Sequence, residues 1–255
     1  RVAWLAAALH VWRVMDACGV RAERRVVKGF NAVDLSEKPW GWNLPNWLLR
    51  RKMLAQWSEL PNVDFRPGVA TTSLFTRIRE ARVGLSDGSR VTAKLVIAAD
   101  GRNSPMRDAA GISVKTTRYG QKALAFAITH PMPHDNVSTE VHRSGGPFTL
   151  VPLPDYQGKP SSAVVWMERG PRSQELRALP SEEFEAAMTQ RSCGVLGDLK
   201  LASRRTIWPI ISQSAERLNG ERLALLAGAA PVVPPPGAPG PNRALRAHCR
   251  RRRAP

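Results

Sequence analysis

The stretch that most constrains this chain is Lys94-Leu95-Val96-Ile97-Ala98-Ala99-Asp100-Gly101, with Ser104-Pro105 close behind. A near-continuous apolar run is the pattern of a strand buried on both faces of a parallel sheet. The Asp-Gly pair then marks a sharp turn at the strand's carboxyl end. Ser104 is suited to cap a helix and Pro105 to stand at its first position. In open α/β sheets, ligands bind at the carboxyl ends of strands. A helix N-terminus beside such a turn offers N–H groups to a phosphate, and Arg102 and Arg107 add positive charge. Asp100, Gly101, Arg102, Ser104 and Arg107 are therefore candidates to hold the pyrophosphate of a dinucleotide. The same spacing also suits a strand, turn and helix with no ligand.

The flanking sequence predicts an α/β chain with a second, mostly antiparallel sheet. Val2 to Val20 reads as mixed, with a weak helical start and a turn near Gly19. Asn43 to Leu60 reads as a turn and a helix, with Asn46 as N-cap and Leu48, Leu49, Met53, Leu54 and Trp57 near helical spacing. Val63-Asp64-Phe65 reads as a short strand. Arg82–Ser86 and Arg90–Ala93, separated around Asp87-Gly88, read as a hairpin. Candidate strands Ala123–Thr129, Ser138–Arg143, Phe148–Leu153 and Ser162–Glu168 alternate with turn residues. Pro180 to Gln190 reads as a helix led by Ser181, with Glu182 and Glu183 at its positive end. Lys200–Trp208 reads as a basic strand, Asn219-Gly220 as an exposed turn, and Glu221–Ala227 as another apolar strand. Beyond it the composition turns rich in Gly and Pro.

Length and composition narrow the class. At 255 residues the chain predicts one large domain or two small ones. A hydrophobic content of 43% with 23% charged residues is that of a globular protein. No apolar run reaches the roughly 20 residues of a membrane helix, and the first residues show no signal-peptide pattern. Cys18, Cys193 and Cys249 are too sparse for a disulfide framework and fit a reducing cytoplasm. His10, His130, His134, His142 and His248 lack metal-ligand spacing and read as exposed loop histidines, so no metal site is expected. The formal charge of +17 invites a nucleic-acid reading. Arg243, Arg246 and Arg250-Arg251-Arg252-Arg253 concentrate part of it in the last residues, where a solvated tail is the favoured reading over phosphate binding. No nucleic-acid recognition motif is present in the body of the chain, and no specific nucleic-acid partner is expected.

The segment Leu95 to Ile112 resembles the second flavin fingerprint, the "DG" motif, of the FAD-dependent aromatic-ring hydroxylases. Four further stretches resemble the ubiquinone-biosynthesis branch of that family, the polyprenyl-methoxyphenol hydroxylases. They are Trp40-Gly41-Trp42-Asn43-Leu44-Pro45-Asn46, Gly145 to Pro154, Ser162-Ala163-Val164-Val165-Trp166, and Glu221-Arg222-Leu223-Ala224-Leu225 running into Val232 to Asn242. The ordered combination spans residues 13 to 242 and is more specific than any one motif. Two departures stand out. The family's GxGxxG fingerprint is absent from this sequence. Its third motif, of the type [GA]-[DE]-A-A-H, is here Ala227-Gly228-Ala229-Ala230-Pro231, with Gly228 at the acid and Pro231 at the histidine. Pro235, Gly237, Gly240 and Asn242 are retained, while Pro239 and Pro241 each remove a backbone donor.

The resemblance implies a partial FAD/NAD(P)-binding, Rossmann-like domain with an inserted, mostly antiparallel substrate sheet, p-hydroxybenzoate-hydroxylase-like. The implied divisions are 1–112 and 211–242 for the FAD-binding domain, 113–210 for the substrate sheet, and 243–255 for an Arg-rich tail. It implies FAD as cofactor, NAD(P)H as co-substrate, and hydroxylation of a phenolic, polyprenylated ring with O2. The cofactor-binding set becomes Asp100, Gly101, Arg102, Ser104, Arg107, Asn46, Pro235, Gly237, Gly240 and Asn242. The substrate pocket becomes Phe126, His142, Phe148, Leu150 and Trp166, although for any single apolar member a plain core position is the favoured reading. No side chain stands out as a general base. A cytoplasmic protein, or one peripheral to the inner membrane, is expected. Without the first fingerprint and the third motif's acid, a non-catalytic remnant of the family is the competing expectation, and a basic nucleic-acid-binding protein a third. Asp100→Ala is expected to weaken cofactor binding or reduction while leaving the fold.

Overall fold

The structure is a computed structural model that describes residues 45–143 and 145–234, and the backbone alone of 7–9, 11–16, 26–31 and 41–43. The chain divides into two compact units, residues 1–60 with 120–209, and 61–119 with 210–255. The first unit thus takes residues 1–60 together with 120–209, which hold most of the second, antiparallel sheet.

The first unit opens with β1 (Ala7–Leu9), β2 (Val11–Asp16), β3 (Val26–Asn31), β4 (Gly41–Asn43) and α1 (Asn46–Ser58). The expected weak helix near the start is replaced by strands. Val11, Trp12 and Val14 are β-branched or aromatic, and β2 is paired on both sides, antiparallel to β3 and parallel to a later strand. Helix α1 begins at Asn46 with Pro45 in the cap position, and no side chain caps it. Asn46 is therefore not its N-cap. An apolar stripe of this spacing ordinarily faces a core, yet Leu48 is the one buried residue of α1.

In the second unit, β5 (Thr71–Thr76), β6 (Ala81–Leu85) and β7 (Arg90–Ala93) form an antiparallel meander. The expected hairpin joins β6 to β7. Gly88 takes φ +83°, and the Asp87 carboxylate accepts the Ser89 backbone N–H at 2.9 Å. Val63-Asp64-Phe65 is not a strand; Asp64 instead pairs with Arg66 at 2.7 Å. Next come β8 (Val96–Ala98) and the short α2 (Pro105–Ala109).

The long strand β9 (Val114–Thr129) carries the chain from the second unit into the first. There β10 (Val137–Arg143), β11 (Gly146–Tyr156) and β12 (Lys159–Arg169) follow, then α3 (Gly170–Ala178) and α4 (Ser181–Arg191). The order β9-β12-β11-β10 is antiparallel throughout, with β2 parallel to β10 at its edge. All four candidate strands of the second sheet are present and longer than expected. Alternation along them puts Leu124, Phe126, Ile128, Val141, Phe148, Leu150, Val164 and Trp166 on one face. Leu176 of α3 and Phe184 and Met188 of α4 complete this core. The Phe184 ring meets Phe126 edge-on at 5.1 Å, a geometry that adds about 0.5–1.5 kcal/mol to the burial itself. Ser181 is the first residue of α4, with Pro180 in the cap position and no side-chain cap. Helix α3 carries no helical signal at its start, because it opens on Gly170-Pro171, a pair that usually marks a turn. Pro171 is tolerated there because the first helical turn needs no donor from it.

Two strands stand where one basic strand was expected: β13 (Lys200–Leu201) and β14 (Thr206–Ala215). Between them the Ser203 hydroxyl takes the Ala127 backbone N–H at 2.8 Å, so a side chain replaces a rung of the ladder. Strand β14 returns the chain to the second unit. There β15 (Asn219–Gly220) pairs with β16 (Leu223–Leu225), and β17 (Pro231–Val232) pairs with the end of β14. Asn219-Gly220 is paired strand, and the turn falls at Glu221-Arg222. Arg222 takes φ +52° while its guanidinium donates to the carbonyls of Ile78 and Lys94. Strand β16 lies parallel to β8, with Leu223 opposite Val96 and Leu225 opposite Ala98. Ala98, Met106, Ile112, Leu223 and Leu225 lie in this unit's core. Strand β8 is packed on one face only: Leu95 and Ile97 are half exposed, so it is not buried on both faces as its apolar run suggested.

Candidate functional site

The parallel pair β8 and β16 brings two chain turns side by side at their carboxyl ends. After β8 comes Asp100-Gly101, with Gly101 at φ +91°. After β16 the Leu226 N–H still reaches the Ala98 carbonyl at 2.8 Å, and a single 3-10 turn follows at Ala227–Ala229. The Gly228 Cα packs on the first turn: a Cβ there would lie 3.3 Å from the Gly101 Cα and the Arg102 backbone nitrogen. The two backbones approach closely because Gly228 carries no side chain, while Gly101 supplies the positive φ of the first turn.

Helix α2 starts as its sequence predicts. Ser104 is buried and its hydroxyl accepts the Arg107 N–H at 3.0 Å, with Pro105 next in line. The Asp100 carboxylate accepts the Met106 N–H at 3.2 Å. These bonds overturn one expectation. Pro105 has no N–H, and those of Met106 and Arg107 are already taken by Asp100 and Ser104. The helix start therefore offers no free donor at its first three positions to a phosphate. Asp100 and Ser104 organise the turn. Arg107 is also committed: its guanidinium donates to the Arg102 carbonyl at 3.0 Å, to the Ala229 carbonyl at 3.4 Å, and to Asp108. It ties the two turns together. Arg102 is half-buried and Asp100 exposed.

Among the described residues these two turns offer a flavin dinucleotide few uncommitted groups. The N-terminal donors of α2 are engaged, Gly228 supplies no carboxylate for a sugar hydroxyl, and Arg107 is spent on tying the turns together, which leaves Arg102 as the cation of the predicted set whose guanidinium is uncommitted among the described residues. Pro235, Gly237, Gly240, Asn242, the Arg-rich residues 243–255, Cys18, Cys249, His10 and His248 lie outside the described residues. Asn46 is exposed at the start of α1, in the first unit.

The predicted substrate pocket divides between the two faces of the sheet. Phe126, Phe148, Leu150 and Trp166 point into the core against α3 and α4. They are core residues, not pocket lining, because packing of the helices sets the phase of the alternation. His142 alone lies on the opposite face. There its Nε2 lies 3.4 Å from the Glu140 carboxylate, which also accepts the Thr149 hydroxyl at 3.1 Å. Register places Glu140, Thr149, Val165 and Ala125 in one row and Val151, Ala163 and Ala127 in the next. This face is a shallow floor of small apolar side chains with a polar edge. Sequence reasoning missed Glu140 and Thr149. Period-two alternation contains them, but the sequence alone does not say which phase is buried.

Two buried basic groups complete the first unit. His130, expected to be exposed, is 3% exposed. Its Nδ1 bonds with the Met132 carbonyl at 2.7 Å and its Nε2 with the Ser162 hydroxyl at 2.9 Å. Burial holds its pKa below the ordinary value. Arg191 donates to the carbonyls of Val141 and Gly146. Burial, aided by repulsion from Arg143, pushes its guanidinium down to about 10. It joins the end of α4 to the β10–β11 hairpin.

Residues 23–248 match the family described as FAD binding domain. The chain belongs to that family. The ubiquinone hydroxylase UbiL of Rhodospirillum rubrum is 34% identical over 211 residues, which is 83% of this FAD binding domain chain and 48% of UbiL. The 3-demethoxyubiquinol 3-hydroxylase of Escherichia coli is 24% identical over 93% of this chain and 62% of its own. Among solved structures, PqsL of Pseudomonas aeruginosa superposes with a TM-score of 0.77 at 20% identity, over 93% of this chain and 64% of PqsL. That likeness shows the fold, which is p-hydroxybenzoate-hydroxylase-like. The FAD binding domain chain spans about half the length of UbiL. Among its described residues no helix is long and apolar enough to cross a membrane.

Proposed function

We propose that the protein to which this chain belongs is a FAD-dependent monooxygenase of ubiquinone biosynthesis. It hydroxylates a phenolic, polyprenylated ring with NAD(P)H and O2, and works at the membrane surface where such a substrate resides. The observation that carries this reading is the antiparallel sheet whose second face, free of α3 and α4, is made of small residues, in a chain 34% identical to UbiL over 211 residues. Strand carboxyl ends are where α/β sheets bind ligands, and the turns at Asp100 and Gly228 stand at two of them. Ala125, Ala127, Val151, Ala163 and Val165 form the floor for the ring, with Glu140, His142 and Thr149 at its polar edge. This chain's residues position the ring and exclude water from it; the redox step belongs to the cofactor.

Gly228 favours a second reading, a family member that does not bind flavin well enough to act. Titrating the chain with FAD and following flavin absorbance separates the two. Saturable binding supports the monooxygenase. A chain that stays colourless with FAD, with circular dichroism showing it folded, supports the non-catalytic reading.

A further inference from the structure

We propose that the small-residue floor of the sheet recognises two oxygens on one ring: Glu140 accepts from a free ring hydroxyl, and Ser138 pairs with a second ring oxygen. This assignment rests on the monooxygenase reading and narrows its substrate to a ring that keeps at least one hydroxyl unmethylated. Strand β10 alternates, so Val141 points into the core with α3 and α4, while Ser138, Glu140 and His142 share the other face. Register sets Glu140 in the row of Thr149, Val165 and Ala125. Continued along β10, the same register sets Ser138 in the row of Val151, Ala163 and Ala127. Two residues of strand separate Ser138 from Glu140, about 6.8 Å. A single benzene ring lying across the alanines, with oxygens on opposite sides, spans that interval.

Both polar groups are under-satisfied. The Glu140 side chain is 19% exposed. Among the described residues its partners are the Thr149 hydroxyl, 3.1 Å from one oxygen, and His142 Nε2, 3.4 Å from the other; no Lys or Arg pairs with it. A carboxylate has about four acceptor sites on its two oxygens, so Glu140 keeps capacity for a ring hydroxyl. Ser138 is 1% exposed, and its hydroxyl has no hydrogen-bond partner among the described residues. A buried polar group left unpaired costs more than a made bond contributes, so native proteins rarely keep one without a purpose. A sheet face that met only solvent gives no reason for an unpaired buried hydroxyl two residues from a half-buried carboxylate. A ring oxygen at each position supplies both missing partners. Ala125, Ala127 and Ala163 leave room for the ring to lie close to the strands.

The test is isothermal titration calorimetry of the full chain, without FAD, with 4-hexylresorcinol, 4-hexylphenol and 4-hexylanisole. These carry two hydroxyls, one hydroxyl and one methyl ether on the same alkylated ring. The phenol is expected to bind about tenfold more tightly than the anisole, the worth of one hydrogen bond to a charged acceptor. The resorcinol is expected to bind several-fold more tightly than the phenol. Glu140→Leu should remove the preference for phenol over anisole, and the near-isosteric Glu140→Gln should reduce it. Ser138→Ala should remove the preference for resorcinol over phenol without lowering the urea midpoint, because the hydroxyl it deletes has no partner to lose. A purely structural serine would lower that midpoint and leave the preference intact. Equal affinities for phenol and anisole would overturn the proposal. So would a chain that circular dichroism shows folded and that binds none of the rings, a phenol preference that survives both Glu140 variants, or a resorcinol preference that survives Ser138→Ala. Flavin titration of the same chain is independent of ring binding. A chain that discriminates the rings but never binds FAD loses the monooxygenase reading and keeps this site; one that binds FAD and treats the rings alike does the reverse.

Discussion

Single polar groups in this chain act mainly by satisfying backbone. Asp100 shows it best. Its carboxylate takes the Met106 N–H, so it caps a helix from its place beyond the carboxyl end of β8. Asp100→Ala is expected to cost about 1 kcal/mol of stability, the usual value of a lost cap. Asp100→Asn, which keeps an acceptor, should retain most of it; equal urea midpoints for both variants and the parent would refute the capping role. His130 carries a pH prediction. Its folded pKa is held below the ordinary 6.5 by burial, so below that pH the unfolded chain binds more protons than the folded one. Stability is fully present above 6.5 and declines as pH falls through it. Urea unfolding between about pH 8 and about pH 5 should show this loss, and His130→Gln should remove that part of the slope. Identical slopes in the two proteins would count against it.

At the scale of elements, the sheet and its two helices divide the labour. One face of β9 to β12 is sealed by α3 and α4, and the other is left with Ala125, Ala127, Ala163 and the Glu140–His142 pair. Phe184 is the hinge-pin of that sealing, fully buried between the Phe126 and Trp166 rings. Phe184→Ala should cost about 3–5 kcal/mol, whereas Ile78→Ala at an 81% exposed position should stay within about 0.5 kcal/mol. Chemical denaturation measures both, and comparable losses would contradict this assignment of the core. The four strands of this sheet were legible in the sequence because turn residues punctuate them. Helix α3 was not, since Gly170-Pro171 reads locally as a turn, and neither was the break at Ala202 to Arg205, where Ser203 replaces a rung of the ladder.

For the whole molecule, charge is the dominant long-range term. With 38 basic and 21 acidic residues the chain repels itself. Raising NaCl from about 0.01 M to about 0.15 M shortens the screening length from about 30 Å to about 8 Å, and should raise the thermal midpoint; a flat or falling midpoint would show that salt bridges outweigh repulsion. By itself the sequence determined the Asp100-Gly101 turn with its Ser104-Pro105 helix start, the hairpin at Asp87-Gly88 and the punctuation of the second sheet. Each is a local matter, set by a glycine's positive φ, a hydroxyl reaching a nearby N–H, or a proline's missing donor. Only the tertiary structure decided which face of the sheet is core, that the α2 donors are engaged by Asp100 and Ser104, that His130 is buried, and that the apolar residues of α1 apart from Leu48 are exposed. Those outcomes depend on which distant residues arrive opposite each side chain, and a strand's alternation or a helix's stripe reads the same whichever way it faces.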